Sequence, residues 1–364
     1  MGKYTKNGKI DFLKFLFAVV IVIHHGAKNV IDIENPLYTG GSLAVEFFFI
    51  VSGYLLMASI SRLPDRTLPL GIETGKFMWR KIKGLYPEVA VAFVMGFVLD
   101  LLFKGRGFWE LWTMSFHNLF LLKMTGVGMV TINAQTWYLS SMLLCMFILF
   151  PLIRKHPQMM ANVVLPLVGL LFLGYLCINK THPRDPSAIW KEFTYKGNIR
   201  AMAELSIGVS LYPLAQRLKQ IKLSTLSRIF LFLAEWGCYT VVFLYMRNSL
   251  ASRLDYYYIA IFAVAILLSF SQQGIDANWY QFGIFSFLGK FSLALYLSHH
   301  CWAIHMKNLF PALSNNRRFA VYLVISFASA GAIMLVSFLL RKLGKLLKKP
   351  IRKLLLVQEN QPAA

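Results

Sequence analysis

Two histidine pairs lie inside apolar stretches of the sequence and carry its most distinctive chemistry. His24 and His25 end the first stretch, and His299 and His300 lie in a late one. Ionisable side chains inside a membrane are costly and are therefore functional candidates by default. The alternative is a histidine that packs between helices and bonds to a carbonyl group. The late stretch runs in the same direction as the first, so the two pairs lie at matched depth, which favours a functional site.

Lys14 is the other ionisable group of the first stretch. On a helix it shares a face with His25, within about 20° around the axis and about 16 Å along it. Both side chains are therefore expected to face polar surroundings. No third ligand follows the histidines at a typical spacing, and no metal centre is expected.

Charged groups also interrupt other apolar stretches. Glu46 lies in the stretch GGSLAVEFFFIVSGYLL, Arg200 and Glu204 lie four residues apart in a later one, and Glu235 lies in a third. An unpaired carboxylate in lipid is costly, so Glu46 should face a cavity or pair with a base. Arg200 and Glu204 can pair with each other or line the cavity that holds Glu46. The sequence assigns no role to Glu235.

Three further features can be explained by structure alone or by a function. Arg80, Lys81 and Lys83 precede an apolar stretch and predict either a lipid-headgroup anchor or a binding patch for a phosphate-bearing ligand. Ser52 lies in a small-residue step that permits close helix packing. Trp137 fits an interfacial aromatic belt.

Composition restricts the class of protein that holds these residues. Of 364 residues, 57% are hydrophobic and 15% are charged, whereas soluble domains have about 25% charged residues. A soluble enzyme, a disordered chain and a disulfide-rich secreted scaffold are therefore excluded. The net charge of +22 is explained by the positive-inside rule, and no nucleic-acid partner is expected. The four cysteines lie in apolar stretches and are expected to be buried packing residues without disulfides.

Ten apolar stretches are long enough for a helix to cross a bilayer, which takes about 20 residues. They predict an all-α polytopic membrane protein, with one membrane domain over 1–350 and a cytoplasmic tail over 351–364. A shorter segment, 108–124, predicts an additional interfacial or re-entrant helix. The distribution of Lys and Arg places both termini in the cytoplasm. The ten stretches are 10–27, 43–61, 84–104, 135–153, 160–178, 197–216, 225–247, 256–272, 284–306 and 319–341.

Five short motifs follow one another along the chain. They are an acidic–basic–His series, an acidic residue before an aromatic run with Ser-Gly-Tyr, a basic stretch ending in Tyr-Pro, Trp-Tyr-Leu-Ser, and Gly-Lys-x-Ser with Tyr-Leu-x-His. Together they resemble the acyltransferase-3 family of integral-membrane O-acyltransferases, which acylate surface carbohydrates and some other acceptors. The matching residues are Asp11, Lys14, His25, Glu46, Phe47, Phe48, Phe49, Ser52, Gly53, Tyr54, Arg80, Lys81, Tyr86, Pro87, Trp137, Tyr138, Leu139, Ser140, Gly289, Lys290, Ser292, Tyr296, Leu297 and His299.

Four positions depart from the pattern of that family. Lys14 replaces the usual arginine, which keeps the charge but not bidentate phosphate geometry. Gly84 replaces a basic residue, and Leu293 replaces an aromatic one. Met142 stands where many members have glutamate, so no catalytic carboxylate is expected on that helix.

The resemblance implies that acyl-CoA, most often acetyl-CoA, is the donor. Its phosphates would bind at the cytoplasmic face, and its arm would extend between helices towards His25. His25 would then be a general base, or would itself be acylated and relay the group outward. The expected donor-binding residues are Lys14, Arg80, Lys81 and Lys83.

The resemblance also implies the remaining site residues. Glu46 would orient His25 or balance its charge, while His299, Trp137 or Arg200 would bind a carbohydrate acceptor near the outer side. Ser52 is a weaker candidate nucleophile. The expected catalytic residues are His25, Glu46 and His299, and the expected acceptor-binding residues are Ser52, Trp137 and Arg200.

Two other classes of function compete with this one. Intramembrane His and Glu residues also serve proton-coupled transport, which would suit a transporter or flippase for a lipid-linked glycan. Against it, the two halves show no matching pair of broken helices. A non-enzymatic membrane scaffold would not explain the costly buried charges. Multi-span architecture and cell-surface chemistry indicate a bacterial cytoplasmic membrane.

Overall fold

The fold is known from a computed structural model that describes residues 7–31, 38–65, 67–127, 132–179, 182–187, 189–190 and 193–359. These residues form eleven helices and one short antiparallel hairpin. The helices are α1 (Gly8–Asn29), α2 (Ala44–Ile60), α3 (Leu70–Phe103), α4 (Phe108–Ser115), α5 (Thr136–Lys155), α6 (Pro157–Asn179), α7 (Lys196–Gln220), α8 (Thr225–Asn248), α9 (Asp255–Ser271), α10 (Gly283–Leu309) and α11 (Asn315–Glu359). The strands are β1 (Ile189–Trp190) and β2 (Thr194–Tyr195).

Each of the ten predicted stretches lies on a helix, and the all-α membrane class is confirmed. Among the described residues, seven helices are long and apolar enough to cross a bilayer. The exceptions are α9, which has 17 residues, and α7 and α10, whose polar side chains lower their hydropathy. A count of ten spans and the cytoplasmic termini stay predictions.

The segment 108–124 is helical but short. It comprises the eight residues of α4 and two 3-10 turns, Phe116–Phe120 and Lys123–Thr125. Aromatic side chains on it face outward, with Trp109 exposed to 74% and Phe120 to 62%. Eight residues span only about 12 Å, so α4 cannot cross a bilayer.

Small residues bring the central helices into direct contact. A Cβ atom on Gly53 of α2 would collide with the carbonyl oxygen of Leu205 on α7. Across the same crossing, a Cβ atom on Gly208 would collide with the carbonyl oxygen of Ile50. The packing interpretation of the Ser52–Gly53 step is therefore confirmed for its glycine.

Glu235 belongs to a buried network that joins distant parts of the chain. Lys9 Nζ lies 2.9 Å from Glu235 Oε2 and 2.8 Å from Asp276 Oδ1. Ser269 Oγ donates to Glu235 Oε1 at 2.6 Å, and Trp236 Nε1 donates to Asp276 Oδ2 at 3.1 Å. The network ties α1 to α8, α9 and the segment before α10.

The four cysteines are free thiols. Cys145 and Cys301 are buried, as expected, whereas Cys177 and Cys238 are only half-buried. These two lie on α6 and α8, most of whose surface is exposed on the outside of the helix assembly.

Candidate functional site

One cavity collects the histidines of the first and the late apolar stretch. It has a volume of about 470 Å³ and is hereafter called the histidine cavity. Helix α1 contributes its last turns, α5 its N-terminal end, α7 its first turns and α10 one histidine. The residues that line it include His24, His25, Gln135, Trp137, Arg200 and His300.

His25 lies at the centre of a group of four imidazole rings. Its ring centroid is 5.0 Å from that of His24, 5.3 Å from His299 and 5.1 Å from His300. The two histidine pairs, which were expected at matched depth, therefore meet in one cluster. Among the described residues, no group of three or more His, Cys, Asp or Glu side chains is arranged to hold a metal ion. The expectation that the protein needs no metal stays a prediction.

Backbone carbonyls fix the tautomers of two neighbouring rings. His24 Nδ1 lies 2.7 Å from the carbonyl oxygen of Tyr38, and His299 Nδ1 lies 3.1 Å from that of Leu295. Because a carbonyl oxygen only accepts, Nδ1 of each ring carries the proton, and Nε2 of each neutral ring is unprotonated. His299 Nε2 is buried and has no hydrogen-bond partner in the described part of the chain.

Gln135 holds the ring of His25. Its side-chain amide nitrogen lies 2.9 Å from His25 Nε2 and donates to it, so Nε2 is the basic nitrogen of a neutral ring. The backbone carbonyl oxygen of Gln135 accepts a hydrogen bond of 2.9 Å from the Tyr296 hydroxyl. Gln135 was not among the residues predicted from the sequence. Its place two residues before Trp137, in the motif-bearing segment NAQTWYLSS, was the available signal.

Glu46 pairs with a base, as predicted, but not with His25. Arg200 Nε donates to Glu46 Oε2 at 2.7 Å and approaches Glu204 Oε1 at 3.2 Å. All three side chains are almost fully buried. Glu46 is hydrogen-bonded to Arg200 and to Glu204, and the direct contact that orients His25 comes from Gln135 instead.

Arg200 supports an aromatic wall of the histidine cavity. Its guanidinium carbon lies 5.4 Å from the ring centroid of Trp137, at cation–π distance. Both side chains line the cavity, as their expected role in acceptor binding requires. Because Glu46 and Glu204 already occupy the guanidinium, Arg200 acts on this wall mainly by holding Trp137.

A second cavity lies towards the start of α1. It has a volume of about 420 Å³ and is hereafter called the tyrosine cavity. Three of the four predicted phosphate-binding residues line it, and Lys14 also pairs with Asp11 at 3.2 Å. Lys83 does not line it and is exposed. The lining residues that matter below are Lys14, Ser52, Arg80, Lys81, Tyr138 and Tyr296.

Lys14 and His25 thus share a helix face but serve two different cavities. The helical spacing placed them correctly, about three turns apart. It could not show that the cavities are separate.

Aromatic side chains separate the two cavities. The rings of Tyr138 and Tyr296 lie 5.9 Å apart, and Phe48 lies within 6.4 Å of both. Val45 lines both cavities. Ser52 lies on the tyrosine-cavity side of these aromatic rings, with its hydroxyl 3.0 Å from that of Tyr138. Ser52 thus lines the tyrosine cavity, apart from Trp137 and Arg200, and its expected role in acceptor binding stays a prediction.

The fold and these two cavities define an all-α membrane protein with an intramembrane polar site. The profile of the acyltransferase-3 family, described as an acyltransferase domain, matches residues 7–342. The chain therefore belongs to the acyltransferase-3 family and is a membrane acyltransferase. No curated protein and no solved structure shows a significant match to it.

Proposed function

We propose that the protein transfers an acetyl group from cytoplasmic acetyl-CoA to a hydroxyl of a cell-surface or lipid-linked carbohydrate in a bacterial cytoplasmic membrane. One observation carries the proposal. A cavity with basic residues at one end and a cavity with a histidine cluster adjoin at Val45, and the consecutive residues Trp137 and Tyr138 line one cavity each.

The tyrosine cavity suits the donor. Lys14, Arg80 and Lys81 supply positive charge for the phosphates of coenzyme A. The rest of the wall is largely apolar, which suits the extended arm that carries the thioester. With the N-terminus in the cytoplasm, the basic end of this cavity faces the cytoplasmic pool of acyl-CoA.

The histidine cavity suits the acceptor. The acceptor hydroxyl replaces the Gln135 amide as the donor to His25 Nε2, and His25 takes its proton. The oxygen bonds to the thioester carbon, the carbon–sulfur bond breaks, and the leaving thiolate recovers the proton. In the second route, His25 itself displaces the thiolate and then passes the acetyl group to the hydroxyl.

Two other residues assist in either route. Trp137 offers an aromatic face on which a sugar ring can pack. His299 backs His25 with an unprotonated Nε2 and can receive or share its proton. Trp137 lines the histidine cavity, and the ring centroid of His299 lies 5.3 Å from that of His25, which supports these roles.

The proposal is tested with purified protein in liposomes, radiolabelled acetyl-CoA and a native membrane glycan preparation. Wild type should place label into base-labile esters, and His25→Ala should abolish it. His156→Ala, a change at an exposed histidine, should behave as wild type.

Each departure from that result has a defined meaning. Label that persists in His25→Ala overturns the role of His25 but keeps the enzyme. Absence of label, together with movement of glycan across the bilayer, overturns the acetyltransferase in favour of the transporter or flippase.

A further inference from the structure

Two lysines of the histidine cavity have no carboxylate partner among the residues that the structure describes. Lys28 lies three residues after His25 on α1, and Lys123 enters from the 3-10 turn Lys123–Thr125. Lys123 Nζ donates to the carbonyl oxygen of Ala134 at 2.9 Å. Within the described ranges, neither ammonium group forms an ion pair.

The other two cations of this cavity are neutralised from behind its wall. Arg200 is held by Glu46 and Glu204. Arg184 binds both carboxylate oxygens of Asp255, at 2.8 and 2.6 Å. Three carboxylates thus hold these two arginines, and none of the three lines the cavity, so none of them faces a ligand there.

One carboxylate, Asp185, does line the cavity among the described residues. It lies on the side of His182 and Arg184, where its charge raises the pKa of His182 against the stronger lowering by burial. Lys28 and Lys123 instead lie near His300 and act on it electrostatically. The two lysines therefore place their positive charge on the histidine-cluster side of the cavity.

Lys123 is poorly solvated where it stands. Burial lowers its pKa to about 8, because an ammonium group loses hydration there without gaining a counter-charge. A bound anion would supply the missing counter-charge. A neutral sugar would not.

Both lysines are also close in the chain to the groups that hold the acceptor hydroxyl. Lys28 follows His25 by about one helical turn and shares its face. Lys123 is bonded to Ala134, and the next residue, Gln135, contacts His25. A substituent near the reacting hydroxyl would thus meet the two ammonium groups.

We infer that the acceptor is an anionic carbohydrate, whose carboxylate or phosphate binds Lys28 and Lys123 while a neighbouring hydroxyl meets His25. The inference rests on the proposed function and narrows its acceptor class. The experiment distinguishes a carboxylate from a phosphate as the source of the negative charge.

The experiment divides one native glycan preparation into three portions. The first is untreated, the second has its carboxyl groups reduced to alcohols, and the third is dephosphorylated. Acetyl transfer by wild-type protein in liposomes is measured on each. Loss of transfer after carboxyl reduction assigns a carboxylate, and loss after dephosphorylation assigns a phosphate.

Variants then test the two lysines. Lys28→Gln and Lys123→Gln should each raise the KM for the untreated glycan about tenfold, the effect of one charge-assisted hydrogen bond. Lys123→Arg should stay near wild type, because it keeps the charge. Lys155→Gln, at an exposed lysine outside the cavity, should match wild type. Equal melting temperatures exclude misfolding as the cause.

The outcomes separate this inference from the proposed function. Equal transfer to all three portions, or an unchanged KM in both glutamine variants, overturns the anionic acceptor while transfer itself continues. No transfer to any portion overturns the proposed function, and the inference with it.

Discussion

At the level of single residues, His25 differs from the other histidines of the cluster in its partner. His24 and His299 each donate Nδ1–H to a carbonyl oxygen, whereas His25 presents Nε2 to the exchangeable side-chain amide of Gln135. A ligand hydroxyl can replace that amide without breaking backbone structure. Gln135 is therefore a positioning residue for His25.

Replacing Gln135 tests this role. Gln135→Leu should lower kcat about 10- to 100-fold, as loss of an orienting partner of a reactive imidazole does, and leave the KM for acetyl-CoA unchanged, since the donor occupies the other cavity. Steady-state kinetics on liposomes would measure both. Gln216→Leu, whose amide bonds to the Tyr54 hydroxyl elsewhere, is the matched control. A rise in the KM for acetyl-CoA with unchanged kcat would contradict the assignment.

Lys123 should make acceptor binding depend on pH. Its pKa of about 8 means that the ammonium charge is present below that pH and lost above it. The KM for an anionic acceptor should therefore rise between pH 7 and pH 9.5.

The groups that face Lys123 are His117 and His300, with Lys28 and Asp185 in the same cavity. Burial lowers the pKa of His117, so it is neutral over the pH range measured. Lys123→Arg, which keeps its charge, should flatten the rise, and a rise that persists in this variant would assign the effect to another group.

At the level of elements, helices α5 and α10 together build the partition between the cavities. Tyr138 of α5 and Tyr296 of α10 pack against Phe48, and the Tyr296 hydroxyl donates to the backbone carbonyl oxygen of Gln135. Trp137 and Tyr138 are consecutive on α5, yet one lines the histidine cavity and the other the tyrosine cavity. One helix end thereby serves both substrates.

Removing a side chain of the partition should uncouple the two cavities. Tyr296→Ala should increase acceptor-independent hydrolysis of acetyl-CoA several-fold and lower transfer, because the gap left by the ring admits water beside the thioester even when no acceptor is bound. Release of free thiol and formation of labelled ester, measured together, give the ratio of hydrolysis to transfer. Tyr257→Ala, at a ring exposed to 69%, is the control. An unchanged ratio would mean that the aromatic partition is not the barrier.

At the level of the whole molecule, buried charges connect helices that are far apart in sequence. Lys9 lies 226 residues from Glu235 and 267 residues from Asp276, and contacts both. The network fixes the beginning of α1, the helix that carries both Lys14 and His25. Its integrity therefore sets the relative position of the two cavities.

Breaking this network should destabilise the protein as a whole. Lys9→Met leaves two buried carboxylates without their base and should lower the free energy of unfolding by roughly 3–5 kcal/mol. Unfolding in detergent micelles, followed by helix signal, would measure it. Lys222→Met, at an exposed lysine, should have little effect. An equal stability of Lys9→Met and wild type would show that the network contributes nothing to the fold.

The sequence by itself determined the class of the fold and most of the site residues. Apolar runs of helical length are local properties, because each helix satisfies its own backbone hydrogen bonds in the membrane. A charge inside such a run is costly in the membrane, and this can be recognised before its partner is known. Ionisable residues inside apolar runs therefore singled out Lys14, His25, Glu46 and His299 as candidates, before any contact between helices was known.

Only the tertiary structure decided which of these residues meet. Glu46 pairs with Arg200, Gln135 holds His25, and Ser52 lies on the other side of the aromatic partition. Such contacts join separate helices, and their geometry depends on where small residues such as Gly53 let two backbones approach. Helical periodicity gives the face on which a side chain lies but not the neighbour across from it, so the division into two cavities came from packing alone.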